Sequence, residues 1–419
     1  MIKYFAVENF YSIKPENILE FDLNANKDTD FSSNPIIGFA GANASGKTAI
    51  LQAITFILWF MQDSFLRLEE DDEILFEPFC TLAEKPTKIH IIFTKNFLVD
   101  GEYKPVDYEY IIRLTTEKVL TEELYYYPYG RKRQVYIRKE NKVEFGASIS
   151  HIQTKDLRPN CSIISFAAQF GSQEVARSCK NYGYSSNVRF GGFEEHEFHP
   201  AIFEDLLKDE KTRRRTRTFL KIADVGIEDV YIIERKEETE RILQSLEEMD
   251  EDIKKQLPMK LFDDIRRLNE QTDDIVLKEV FFKHMIDNAS IDFEASSESS
   301  GTLKFLAILY EVLSALESGT LLILDEIELK LHQNLVAYLI GLFENSSENI
   351  HGAQLIFSFH NTALMKILKP SQLWFAEKNN EGYTELFCAA DFQDIKQLHK
   401  KSLEKLYRIG RFGAIPRGI

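Results

Sequence analysis

Gly41, Ala42, Asn43, Ala44, Ser45, Gly46, Lys47 and Thr48 complete a G-x-x-x-x-G-K-[ST] phosphate loop. In such a loop the backbone N–H groups and the start of the following helix, here from Ala49, cradle a triphosphate. Lys47 reaches the β- and γ-phosphates, and Thr48 sets its hydroxyl on Mg²⁺. Far downstream, Asp325 and Glu326 end the apolar run that starts at Thr320. A carboxylate at the carboxyl end of a buried strand is placed to hold that Mg²⁺, usually through water. Glu326, one residue on, is free to orient or deprotonate an attacking water. His360 follows a final strand, Ala353 to Phe359, and is placed to sense a γ-phosphate and position the nucleophile. Together these groups predict binding and hydrolysis of a nucleoside triphosphate.

The elements that must position them are legible from pattern. Pro35 to Ala40 predicts a buried strand feeding the loop, and Ala49 to Trp59 the helix leaving it. Thr320 to Leu324 predicts a strand covered on both faces, as in a parallel sheet. Short alternating segments, Thr87–Thr94, Tyr108–Leu114 and Val135–Arg138, predict an antiparallel sheet between about residues 68 and 168. Leu303 to Leu316 has helical spacing, and Ser296 to Thr302 sits at its start. Two readings of that cluster stand side by side. It is an N-cap and nothing more, or Ser300 and Gly301 also donate to a γ-phosphate held by a second subunit. Residues from about 197 to 287 are charged and predict helices, but no heptad persists and Pro258 interrupts them. The predicted division is 1–196 and 290–419 as two halves of one head, with 197–289 as an inserted short helical lobe.

The order of phosphate loop, Ser-Ser-Gly-Thr cluster, Leu-Asp-Glu strand and terminal histidine resembles the ABC-type ATPase head. That head is shared by transporter ATPases, SMC proteins and RecF-like repair proteins. The opening strand with Asn9, Phe10 and Ser12 is similar to the soluble SMC/RecF-like branch, over residues 1–60 and 290–419. The Ser-x-Gly-Thr cluster and the stretch from Gly410 to Pro416 resemble the AAA-type ATPases of anti-phage and abortive-infection loci, such as PARIS, Septu, retron and Rlo-type systems. The resemblance implies an α/β fold with a mixed sheet and a flanking antiparallel sheet, and ATP with Mg²⁺ as ligands. It also implies heads that engage at least as a dimer around ATP. A separate effector such as a nuclease, and a phage-derived trigger protein, follow from the same likeness. The alternative it carries is a RecF/SMC-like DNA-repair or DNA-clamping ATPase. Gln169, after the apolar run Ser162–Ala168, is the candidate for a glutamine that touches Mg²⁺ and water. Two departures matter. The Leu-Ser-Gly-Gly-Gln of transporters is missing, and His332 stands where such heads usually carry aspartate, which keeps open a slow or non-hydrolysing scaffold.

The 419 residues give room for a sizeable core. The apolar stretch from Ala53 to Met61 is too short to span a bilayer, so no membrane partner is expected. Cys80, Cys161, Cys179 and Cys388 lack metal-site spacing and predict reduced thiols in a cytoplasmic protein. A net charge of −16 repels nucleic acid unless cations cluster. Two clusters exist, Arg131 to Lys142 and Lys211 to Arg217. A phosphate backbone, an acidic protein surface and pairing with the chain's own acids all fit them.

Overall fold

The computed structural model describes residues 1–21, 33–99, 102–147, 153–170, 179–180, 182–188, 201–222, 226–238, 274–287, 289–329, 331–392 and 403–414. Strand β1 (Ile2–Glu8) pairs antiparallel with β2 (Asn17–Glu20) and with β4 (Thr87–Val99). The sheet continues through β5 (Glu102–Leu114), β6 (Val119–Tyr126), β7 (Arg133–Lys139) and β8 (Lys142–Phe145), in the order β2-β1-β4-β5-β6-β7-β8. Its inner face alternates with its outer one. Ile89, Ile91 and Phe93 point into the core, while Lys88, His90 and Ile92 are only half-buried.

The second sheet carries the phosphate loop and the Asp325–Glu326 strand end. Strand β3 (Ile36–Ala40) lies at its centre, flanked by β14 (Gln354–Ser358) and β15 (Leu373–Lys378). Beyond β14 come β13 (Leu321–Leu324) and β9 (Tyr184–Ser186); beyond β15 comes β16 (Thr384–Cys388). All pairs are parallel except β15 with β16. Strands β3, β13 and β14 are buried at every position, as strands covered on both faces must be. Helix α1 (Lys47–Arg67) packs its apolar residues into one core with the antiparallel sheet and β3. Its 21 residues are long and apolar enough to cross a membrane, longer than the stretch read from sequence, yet 72% of its most apolar window is buried within the fold. Helix α2 (Ile163–Gln169) packs on the last turns of α1.

By contact the chain divides into Met1–His196 with Glu311–Ile419, and Glu197–Tyr310. The second unit contains helices α3 (Ala201–Leu206) and α4 (Glu210–Ile222), in a segment expected to be helical. It also contains a three-stranded antiparallel sheet, β10 (Ile227–Glu238), β11 (Asp274–Ile286) and β12 (Ala289–Glu294), where helix was expected. Glu and Lys favour helix locally, but Ile227 and Val230 on β10 and Phe282 on β11 are buried, and that pairing overrides propensity. The rest of the charged run to Met249, and Pro258, lie outside the described residues. Helix α5 (Ser300–Ser318) begins in this unit and leads into β13.

Both basic clusters are largely engaged within the chain. Arg138 is fully buried; it donates to Glu122 and to the carbonyls of Cys161, Arg158 and Glu140. Burial pushes Glu122 up, with Arg138 and the hydroxyl of Tyr136 opposing. Lys132 lies 2.7 Å from Glu109 and over the ring of Tyr125. On α4, Arg213 and Arg217 both clamp Asp229, and Arg214 pairs with Glu210. The cysteines are free thiols, three of them buried.

Candidate functional site

The phosphate loop joins β3 to α1. Gly41 and Gly46 take φ of 154° and 108°. A Cβ at Gly41 would collide with the Ala376 carbonyl and Ser45 Oγ, and one at Gly46 with Thr384, so only glycine fits either place. Thr384 closes the loop from outside: its hydroxyl donates to the Ser45 carbonyl at 2.9 Å and sits 2.8 Å from Ser12 Oγ. Lys47 Nζ donates to the carbonyls of Gly41 and Ala42, both at 2.9 Å. Burial pushes its ammonium below the ordinary lysine value, while Asp325, Glu326 and Glu328 act in the opposite direction. Ala44, at φ 58°, lets the loop turn tightly over its top.

Asp325 and Glu326 emerge at the carboxyl end of β13. Thr48 Oγ1 donates to Asp325 Oδ2 at 2.8 Å, so residues 277 positions apart meet at one point. Ser358, at the end of β14, donates to Asp325 Oδ1 and accepts from the Glu326 N–H at 2.9 Å. Asn187, just past β9, accepts from the Asp325 N–H at 2.7 Å and donates to its carbonyl at 3.2 Å. Glu326 has φ 51°, a region that a residue with a Cβ rarely adopts, and its carboxylate stands half-exposed, apart from Asp325. His360 Nε2 lies 3.4 Å from Glu326 Oε1. The turn carrying His360 is tied down by Glu328, whose Oε1 accepts from the N–H groups of His360 and Asn361.

The structure therefore brings Lys47, Thr48, Asp325, Glu326 and His360 together, and adds Ser358, Asn187, Glu328 and Thr384, which sequence reasoning missed. Ser358 was the one with a visible signal, a lone hydroxyl at the end of the apolar run Leu355–Phe357. Gln169 is a correction. It ends α2, whose Ser162 and Ser165 bond the Met61 and Gln62 carbonyls, and whose Phe166 packs on Phe65. Phe65 is about 27 Å along α1 from Lys47 at 1.5 Å per residue, so Gln169 lies at the wrong end of that helix to touch a phosphate-bound metal. Asn187 holds the place beside Asp325 instead. His332 is the N-cap of α6 (Gln333–Glu344), its Nδ1 accepting from the Asn334 N–H at 3.3 Å. Ser300 and Gly301 form the first turn of α5, in the second unit, where Ser299 accepts from the Thr302 N–H at 3.1 Å and so is the cap.

Among the described residues no group of three or more His, Cys, Asp and Glu side chains could hold a metal by itself. The oxygen pair of Thr48 and Asp325 fits a Mg²⁺ ion that draws the rest of its shell from phosphate and water, the way this hard cation is usually held.

A family described as "AAA domain, putative AbiEii toxin, Type IV TA system" matches residues 36–366, from β3 to the turn after His360. No curated protein matches. Among solved structures, the SMC head domain from Thermotoga maritima aligns over 92% of this chain and 98% of its own, with 14% identity and a TM-score of 0.41. The Smc head domain with a coiled coil and joint derived from Pyrococcus yayanosii aligns over 96% and 99%, with 12% identity and the same TM-score of 0.41.

Proposed function

The chain belongs to this AAA-domain family, and on that premise we propose that it is an ABC-type P-loop ATPase head that binds and hydrolyses ATP. One observation carries the reading: the hydrogen bond from Thr48 to Asp325, which unites a phosphate loop and an acidic strand end that the sequence keeps far apart. The loop N–H groups and Lys47 hold the β- and γ-phosphates. Thr48 and Asp325 hold Mg²⁺, which supplies charge neutralisation on the phosphates when bound. Glu326 accepts the proton of the attacking water, and His360, in contact with Glu326, orients that carboxylate and the nucleophile. Ser358 and Asn187 keep Asp325 fixed so that the two carboxylates do separate work. Positioning and charge stabilisation are the main sources of acceleration in phosphoryl transfer, and this site is built for both.

We further propose that two heads close on ATP, with Ser300 and Gly301 of each covering the γ-phosphate of the other. The assembly then acts in anti-phage defence, answering a phage-derived trigger and controlling a separate effector such as a nuclease. The toxin–antitoxin description of the family supports this direction. The DNA-clamping alternative loses support from the basic clusters, because Arg138, Arg213 and Arg217 are spent on Glu122 and Asp229. Equilibrium binding and turnover test the core of the proposal together. Lys47→Ala abolishes ATP binding, while Glu326→Gln binds ATP as the wild type does and loses at least about a hundredfold in hydrolysis. Undiminished ATP affinity in Lys47→Ala overturns the assignment.

A further inference from the structure

Ser300 and Gly301 enter the chemistry proposed above through their backbone N–H groups, and a carboxylate precedes them closely in the chain. Glu298 lies between the short turn Ala295–Ser297 and helix α5. Its side chain is only 8% exposed, and its Oε1 lies 2.6 Å from Nε2 of His284 on β11. An ionised carboxylate only accepts, so His284 Nε2 carries the proton in this contact. His284 is itself well held. It pairs with Ile227 of β10 and Ile291 of β12, and its ring stands edge-on to Phe293 at 5.1 Å. The three-stranded sheet thus anchors the Glu298 carboxylate.

The start of α5 shows what this anchor prevents. The first N–H groups of a helix have no partner inside it and form the positive end of its dipole. On α5, Ser299 Oγ accepts from the Thr302 N–H at 3.1 Å, and the Ser299 carbonyl accepts from the Leu303 N–H. The N–H groups of Ser300 and Gly301 have no partner among the described residues. These are the two donors that the proposed function assigns to a γ-phosphate, and a nearby carboxylate suits them equally well. An acid settled there also repels an arriving phosphate. Glu298 is the acidic residue closest to them in the chain. We propose that His284 is a positioning residue: it holds Glu298 away from the first turn of α5 and so keeps Ser300 and Gly301 open to the γ-phosphate of a partner head. This rests on the cross-subunit reading of that turn given above and names what keeps the turn receptive.

The test uses full-chain Glu326→Gln protein with Mg²⁺ and ATP, its solution mass followed across a range of protein concentrations. On that parent, His284→Ala frees the carboxylate, Glu298→Ala removes it, and a third variant carries both changes. His284→Ala is expected to weaken the ATP-dependent dimer about tenfold, because both first turns in a closed pair of heads are affected. Glu298→Ala and the double variant are expected to stay within about twofold of the parent, since no carboxylate is left to compete. Recovery in the double variant separates this role from a structural one. If the pair merely braced the sheet, removing both halves would do at least as much damage as removing one. A double variant as weak as His284→Ala overturns the proposal, as does an equal loss in Glu298→Ala or no loss in His284→Ala. A parent that binds ATP yet stays monomeric removes the cross-subunit reading itself, and the role of His284 with it.

Discussion

Ser358 carries more of the site than any residue apart from Lys47. Its single hydroxyl donates to Asp325 and accepts from the Glu326 N–H, so it fixes at once the carboxylate proposed to hold the metal and the backbone of the one proposed to activate water. Ser358→Ala leaves the apolar strand intact but strands both partners. We expect kcat to fall about tenfold or more, in line with a lost charged hydrogen bond of roughly 1.5–3 kcal/mol, and thermal stability to change little. A steady-state ATPase assay beside a melting curve separates the two; a large drop in melting temperature with kcat unchanged would mean Ser358 is a folding residue only. The sequence candidates that the structure brings together are those whose type announces chemistry at the end of a recognisable strand: Lys47, Thr48, Asp325, Glu326, His360. Asn187 and Glu328 announce nothing and Ser358 shows only a lone hydroxyl, because their roles are set by a partner 32 or more positions away. Gln169 shows the opposite fault, a plausible residue type whose helix docks at the distal end of α1.

At the scale of elements, apolar runs and their flanking motifs located β3, α1, β13 and β14, because strands buried on both faces and a mostly buried helix leave long apolar stretches between turn signals. It failed for β10 and β11. There the charged residues form a solvated face, and the strand is decided by its neighbour rather than by itself. The run of cations on α4 was ambiguous for the same reason. Only the fold shows that Asp229 of β10 receives both Arg213 and Arg217. Burial alone would push Asp229 up; the hydrogen bond from Arg217 and the charges of Arg213 and Arg217 outweigh it and hold the carboxyl below its usual range. A depressed carboxyl stabilises the fold above the pKa of the unfolded chain, about 4, and that stabilisation is lost as pH falls through the lower folded value. Asp229→Asn should therefore destabilise the second unit by about 2 kcal/mol near neutrality, with the difference from wild type shrinking below about pH 4. Hydrogen exchange of β10 and β11 across that range reads it directly. A pH-independent difference would mean the carboxylate charge is not what holds α4 to the sheet.

At the scale of the whole molecule the net charge of −16 separates the two functions left standing. Two heads that close face to face on ATP bring like net charges together, and the nucleotides add more. Salt screens that repulsion, with a Debye length that shrinks from about 30 Å at 0.01 M to about 8 Å at 0.15 M. A head that clamps DNA depends on cation–phosphate contacts instead, and these weaken steeply over the same range. Glu326→Gln protein, which is expected to hold ATP without turning it over, provides the stable state to weigh. With ATP and Mg²⁺ its solution mass should double, and the doubling should be more complete at 0.15 M than at 0.01 M salt, the two conditions of the screening argument. Adding Ser300→Arg and Gly301→Arg should abolish it, since both positions form the accessible first turn of α5 and their backbone N–H groups are the proposed cross-subunit donors. A mass that stays monomeric with ATP bound removes the cross-subunit role from that turn. Assembly that requires DNA and disappears on adding salt would restore the clamp, and would do so against the charge of the molecule as a whole.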